Sequence, residues 1–158
     1  MLIHNISPDE VKKFIATLTT VETKYYDIKK EKHLEYALLV NGYEDNGELV
    51  GIGGIDKYYN LIPHTFYMIK YKYQGMGIGT MMAKENMQFA AKRFPFIITI
   101  IEDGNIKALN IAERQGFKFV MQCGTHIYYL KHFNFLGKCI GWLFPYIIQV
   151  YYFVAKRR

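Results

Sequence analysis

The chain has 158 residues, half of them apolar, enough for one domain with a real hydrophobic core. The formal charge of +6 is unevenly placed: residues 1–113 are nearly neutral, whereas Arg114 to Arg158 hold seven basic side chains and no acidic one. A neutral body argues against a broad nucleic-acid face. Two cysteines and five scattered histidines show no metal-ligand spacing or disulfide framework, which points to a reducing, cytoplasmic compartment. No basic, apolar leader opens the sequence, so no signal peptide is expected.

In chain order, Leu2 to Ile6 reads as a short strand. Ser7-Pro8-Asp9-Glu10 is a helix start, with Ser7 as cap, Pro8 at the first helical position and Glu10 closing a capping box. Val11, Phe14, Ile15 and Leu18 then share one face. A second helix is expected over Val21–Lys32, and a strand over Tyr36–Asn41. Asn46-Gly47 supplies a hairpin turn into a return strand, Leu49–Tyr58, where Gly51, Gly53 and Gly54 suggest a weak or bulged stretch. Pro63 precedes a strand over His64–Tyr71.

A helix follows Thr80, with Ala83, Met87, Ala90 and Phe94 as its core stripe, and Pro95 stops it. The continuous apolar run Phe96–Ile101 fits a fully buried central strand. Asn105 caps a further helix, Gly116 occupies the left-handed position that ends it, and strands Phe117–Gln122 and His126–Lys131 complete the set.

Between strand and helix lies Gln74-Gly75-Met76-Gly77-Ile78-Gly79-Thr80. Alternate glycines leave no side chain between the backbone N–H groups and an incoming anion, and a helix start adds unpaired donors and a positive dipole end. The run reads as a pyrophosphate cradle. It lacks the lysine of a nucleotide P-loop, and its third glycine comes one residue too early for a dinucleotide fingerprint.

The spacing Gln74-x-x-Gly77-x-Gly79, together with Asn105, Ala108 and Gly116-Phe117 further on, resembles the GNAT superfamily of N-acetyltransferases over residues 1–131. The resemblance implies an α/β (α+β) fold: a mixed, mostly antiparallel twisted sheet flanked by helices, with two central strands splayed into a cleft for acetyl-CoA. Mapped onto this sequence, it implies that Met68, Ile69 and Tyr71 line the pantetheine arm. Gln74, Gly75, Met76, Gly77, Ile78, Gly79 and Thr80 would hold the pyrophosphate. Asn105 would reach the pantetheine, act as a plain helix cap, or do both, and Ala108 would leave it room.

Acetyl transfer needs a neutral amine and a protonated leaving thiolate. Members of the family often carry a tyrosine four residues before the Gly-Phe; here that residue is Ala112. Tyr67, Tyr128 or water could take its place. For the general base, His64 and Asp56 are the candidates, each set against a plain strand-end role. Nothing near Cys123 reads as a base that would make it a nucleophile.

Residues 132–158 form a separate extension, with a run from Phe133 to Ala155 that is apolar around any helix. It interrupts itself with Pro145 and ends in Lys156-Arg157-Arg158. Attachment to a membrane, spanning or lying on its inner face, competes with packing on the domain or in an oligomer.

The leading expectation is an enzyme that moves acetyl from acetyl-CoA directly to a primary amine on a small molecule or protein. Its alternatives are a CoA-binding module that has lost turnover and a membrane-associated interaction protein built on the same scaffold.

Overall fold

The computed structural model of the chain describes residues 1–24, 37–58 and 61–155. Among the described residues, seven strands and four α-helices run in the order β1 (Leu2–Ile3), α1 (Pro8–Ala16), β2 (Leu39–Asp45), β3 (Glu48–Tyr58), β4 (Ile62–Ile69), α2 (Ile78–Ala91), β5 (Phe96–Glu102), α3 (Ile106–Arg114), β6 (Lys118–Cys123), β7 (His126–His132) and α4 (Phe135–Ala155). The strands form one sheet in the order β1-β2-β3-β4-β5-β7-β6. Every neighbouring pair is antiparallel except β4 and β5, which run parallel. This is the expected mixed, mostly antiparallel sheet.

Local chemistry sets most boundaries. Ser7 and Glu10 form the reciprocal capping box of α1, satisfying two donors that a helix start leaves bare. Gly116, at φ 81°, ends α3. Its N–H bonds the Glu113 carbonyl and the next N–H, of Phe117, bonds Ala112, the paired closure that a left-handed C′ residue permits. The first strand is shorter than expected because Asn5 turns the chain at φ 57°. The helix expected over Val21–Lys32 lies mostly outside the described residues.

The glycines of β3 mark close packing. The strand pairs with β4 from Gly51 to Tyr58. Against β2 it carries one extra residue, Val50, between the pairs Tyr43–Gly51 and Glu44–Leu49, so the expected bulge stands beside Gly51. A Cβ on Gly51 or Gly53 would come within 3.2 Å of Met82 in α2, and one on Gly54 within 2.1 Å of the Leu39 carbonyl. The missing side chains at Gly51 and Gly53 let α2 lie directly on the sheet, and the one at Gly54 lets the Leu39 backbone and the Phe66 ring close in.

Side chains at paired positions of neighbouring strands share a face, and the two faces are covered differently. On one face, α2 and α3 bury Met87, Ala90 and Ala112 against Ile55, Ile97, Ile101 and Tyr129. On the other, α1 covers the β2–β4 half with Val11, Phe14 and Ile15 against Ile52, Phe66 and Met68. The β5–β7–β6 half of that face is covered by α4, whose Phe144 and Ile148 are 1% and 2% exposed and pack on Ile98, Tyr128 and Leu130.

The extension therefore shares a core with the sheet. Asn134 Oδ1 accepts the Gly137 N–H at 3.0 Å and caps the helix. Gly137 sits so close to Pro95 that a Cβ would lie 1.9 Å from the Pro95 carbonyl oxygen. Among the described residues no helix is long and apolar enough to cross a membrane, so the expectation of a membrane span is corrected: one side of α4 is spent on the sheet.

Replacing Phe144 by Ala should cost about 3–5 kcal/mol, the usual range for emptying a buried phenyl site. It should appear as a lower denaturation midpoint at unchanged m-value, while Leu136→Ala on the exposed side of α4 should leave the midpoint nearly unmoved.

Candidate active site

The parallel ladder between β4 and β5 consists of a single register pair, His64 opposite Ile98. Thr99 Oγ1 reaches the Thr65 carbonyl at 3.4 Å just beyond it, and from there the strands diverge. Lys70 N–H bonds the Val50 carbonyl on β3. Antiparallel strands alternate their bonding direction, so Phe66 and Met68 also turn their backbone groups to β3. Tyr67 and Ile69 turn theirs into the gap facing β5. An interrupted sheet thus offers a row of amide groups at its centre, the arrangement that pairs with an extended amide-containing chain.

At the far end of the gap, Gly75 and Gly77 hold φ 86° and 83°, and neither would meet an atom within 4 Å if it carried a Cβ. Gly77 is the N-cap of α2 and has no side chain to cap with. The first helical bond runs from Met81 N–H to the Gly77 carbonyl, so the N–H groups of Ile78, Gly79 and Thr80 have no partner within the helix. Open space in front of unpartnered donors at a helix N-terminus fits a pyrophosphate. Gly79 is small for a different reason, since its Cβ would press at 3.0 Å on Ile111 of α3 and at 3.1 Å on Ile69.

Side chains hold this loop in shape. Gln74 Nε2 donates to the Ile69 carbonyl at 3.2 Å, and Lys107 Nζ donates to Gln74 Oε1 at 3.0 Å, tying the loop to β4 and α3. The Glu22 carboxylate accepts from the Tyr71 N–H and from both the N–H and hydroxyl of Thr19. Partial burial works to raise the Glu22 pKa, but these hydrogen bonds outweigh it and hold it below the usual carboxylate value. Sequence reasoning missed Glu22, though Thr19-x-x-Glu22 has capping-box spacing and could have drawn attention to it.

The remaining expected residues separate. Asn105 caps α3, its Oδ1 accepting the Ala108 N–H at 3.2 Å. Tyr67 crosses the gap to donate its hydroxyl to the Ala108 carbonyl at 3.4 Å, and burial pushes that hydroxyl well above the ordinary tyrosine range. Met68 is buried against α1, and Met76 is exposed beside the loop. Ala112, where relatives often carry a tyrosine, is buried in the core.

His64 and Asp56 come together. They are directly opposite in the β3–β4 register, and His64 Nδ1 lies 2.8 Å from Asp56 Oδ1. Both are mostly buried. They project from the face that α1 and α4 cover, between the two helices, at the position where the gap closes. Tyr58, two residues after Asp56, places its ring 6.1 Å from His64 and its hydroxyl 3.2 Å from that of Tyr128. Nothing in the sequence alone singles out Tyr58.

The splayed β4–β5 pair and the glycine run before α2 both lie within the stretch that a family comparison identifies. Residues 2–118 match the model of the acetyltransferase (GNAT) domain. The chain belongs to that family, whose members are N-acetyltransferases using acetyl-CoA. Solved structures share the fold. A ribosomal-protein-alanine N-acetyltransferase from Brucella melitensis superposes with a TM-score of 0.66 at 17% identity, covering 84% of this chain and 99% of that one. A putative acetyltransferase from Salmonella typhimurium, solved with acetyl-CoA, gives 0.68 at 11% identity over 85% and 94%. A GNAT acetyltransferase from Streptococcus pneumoniae gives 0.62 at 17% identity over 85% and 100%. No curated protein sequence matches the chain.

Gly77→Glu should abolish acetyl-CoA binding in a calorimetric titration, because it sets a carboxylate against the cradle and forces a side chain onto a left-handed backbone. Gly77→Ala should lose about 1 kcal/mol of stability through strain alone and should keep measurable binding.

Proposed function

We propose that the chain transfers acetyl from acetyl-CoA directly to a primary amine seated between α1 and α4, with His64 as general base and Asp56 as its orienting partner. The observation that carries this reading is the 2.8 Å His64–Asp56 contact at the one point where β4 and β5 pair. The cradle lies at the N-terminus of α2, which packs on one face of the sheet, and the dyad projects from the other, which α1 and α4 cover. An amine and a thioester brought to the apex from opposite faces would have separate entrances.

Bound acetyl-CoA supplies the acyl group as an activated thioester. Ile78, Gly79 and Thr80 N–H groups would hold its pyrophosphate, and the backbone of Tyr67 and Ile69 would pair with the pantetheine amides. With Asp56 accepting a hydrogen bond from Nδ1–H, the neutral imidazole keeps its lone pair on Nε2. Nε2 takes a proton from the ammonium, which frees the nitrogen lone pair for attack on the acetyl carbon. As the C–S bond breaks, the second proton of that nitrogen passes through water to the departing thiolate. The Tyr67 hydroxyl, its pKa raised further by burial, stays protonated and donates to the Ala108 carbonyl at the edge of the gap.

Direct transfer is favoured over an acyl-enzyme by the position of the thiols. Cys123 lies on β6, separated from β4 by β5 and β7, and Cys139 lies on α4. The second reading, a module that binds CoA without turnover, draws support from Ala112, which puts a methyl group where a hydroxyl is usual. Turnover with any amine from a screen of small amines and peptide amino groups separates the two.

With an amine that is turned over, His64→Gln should lower kcat/KM by about 10²–10⁴, the usual contribution of a general base, and should flatten the acid limb of the pH–rate profile. Asp56→Asn should show a smaller loss in the same direction. Acetyl-CoA affinity should be unchanged in both. An unaltered pH profile in His64→Gln would remove His64 from the role.

A further inference from the structure

We infer that the outer side of α4 is a docking surface for an anionic lipid bilayer, on which the helix lies flat while its inner side stays on the sheet. The described part of α4 is divided lengthwise. Gly137, Phe144 and Ile148 are buried inward. Trp142, Leu143, Tyr146, Ile147 and Val150 face outward, with Trp142 76% exposed and each of the others at least half exposed. Phe135 and Leu136 continue the exposed apolar surface to the start of the helix. A contiguous apolar strip of this kind on a small domain calls for a cover.

Charge identifies the cover. From Arg114 onward the sequence holds no acidic residue and seven basic ones, of which Arg114 on α3 and Lys131, opposite Ile97 in register, belong to the other face. Lys138 is exposed on the first turns of α4, and Lys156-Arg157-Arg158 follow its last residue. Lys118 on β6 lies opposite Leu130 in register, which places it on the sheet face that α4 packs against. A second copy of the chain would bring the same cations against the strip, and the carboxylate on the β5–β7–β6 half of this sheet face, Glu102, already faces His126 at 3.6 Å. Anionic headgroups supply that complement, and the acyl boundary takes the apolar side chains. Trp142 and Tyr146 are the amphipathic rings that favour the bilayer interface. The inward packing of Phe144 and Ile148 fixes the helix as lying on the bilayer.

Trp142 is the only tryptophan in the chain, so its fluorescence reports this surface directly. The 158-residue chain should be mixed with vesicles of phosphatidylcholine alone and with vesicles containing about 30% phosphatidylserine, a strongly anionic surface. The expected result is a blue-shifted Trp142 emission and co-sedimentation with the anionic vesicles. Binding should be at least about tenfold weaker to the neutral ones and should weaken as salt rises from about 0.1 M to about 0.5 M. Leu143→Ser/Ile147→Ser should lose binding at unchanged melting temperature, since both side chains face outward. Lys156→Glu/Arg157→Glu/Arg158→Glu should lose it while leaving the apolar strip intact. Equal binding to both vesicles, binding to neither, or a stable dimer that shields Trp142 and ignores vesicles would overturn the proposal. So would retention of binding by the Leu143→Ser/Ile147→Ser variant.

Discussion

The molecule is organised around a parallel strand pair that closes for one residue and then opens. A complete ladder between β4 and β5 would bury the amide groups of Tyr67 and Ile69 in hydrogen bonds and leave nothing for a ligand. The divergence leaves them facing a gap inside the sheet, where the Ile69 carbonyl takes the Gln74 amide and the remaining groups demand partners. Side chains hold the gap apart: Tyr67 and Ile69 pack with Ile78 and Met82 of α2 rather than with β5. The Tyr67 hydroxyl reaches α3 through the Ala108 carbonyl. Two helices thereby take over the support that a neighbouring strand gives elsewhere in the sheet.

The same division sets the glycine run and the Asp56–His64 pair on different faces. Glycines along β3 bring α2 down on one side and aim its N-terminus at the end of the gap. On the other side α1 and α4 cover the two halves of the sheet and leave the Asp56–His64 pair between them. The fully buried Asn86 of α2 ties this arrangement together by donating to the Gly54 carbonyl at 3.0 Å and to Thr65 Oγ1 at 2.9 Å, one residue beyond His64. Helix, central hairpin and dyad are therefore mechanically one unit, and a shift of α2 would be felt at His64.

Features specified by adjacent residues are legible in the sequence. The Ser7–Glu10 capping box, the Asn46-Gly47 hairpin, the glycine run and the Asn105-to-Gly116 helix all depend on contacts within a few residues, and each appears where its residues place it. Features that depend on register are not. Asp56 and His64 are separate candidates in the sequence, and only the β3–β4 pairing sets them opposite one another. Gly51, Gly53 and Gly54 mark a weak or bulged stretch in the sequence, and the bulge is there at Val50; the helix that Gly51 and Gly53 admit leaves no trace in the strand's own sequence. Residues 133–155 are apolar on every side of a helix, which does not tell which side the sheet takes. That asymmetry comes only from the position of Ile98, Tyr128 and Leu130 beneath it.

Amide hydrogen exchange of the whole chain with and without acetyl-CoA tests the central claim most directly. If the open β4–β5 pair is the cofactor cleft, protection should rise in Tyr67–Thr80 and around Asn105–Ala108, while the β2–β3 hairpin and α4 stay unchanged. Exchange that is unaltered by saturating acetyl-CoA, or protection confined to α1 or α4, would contradict the account.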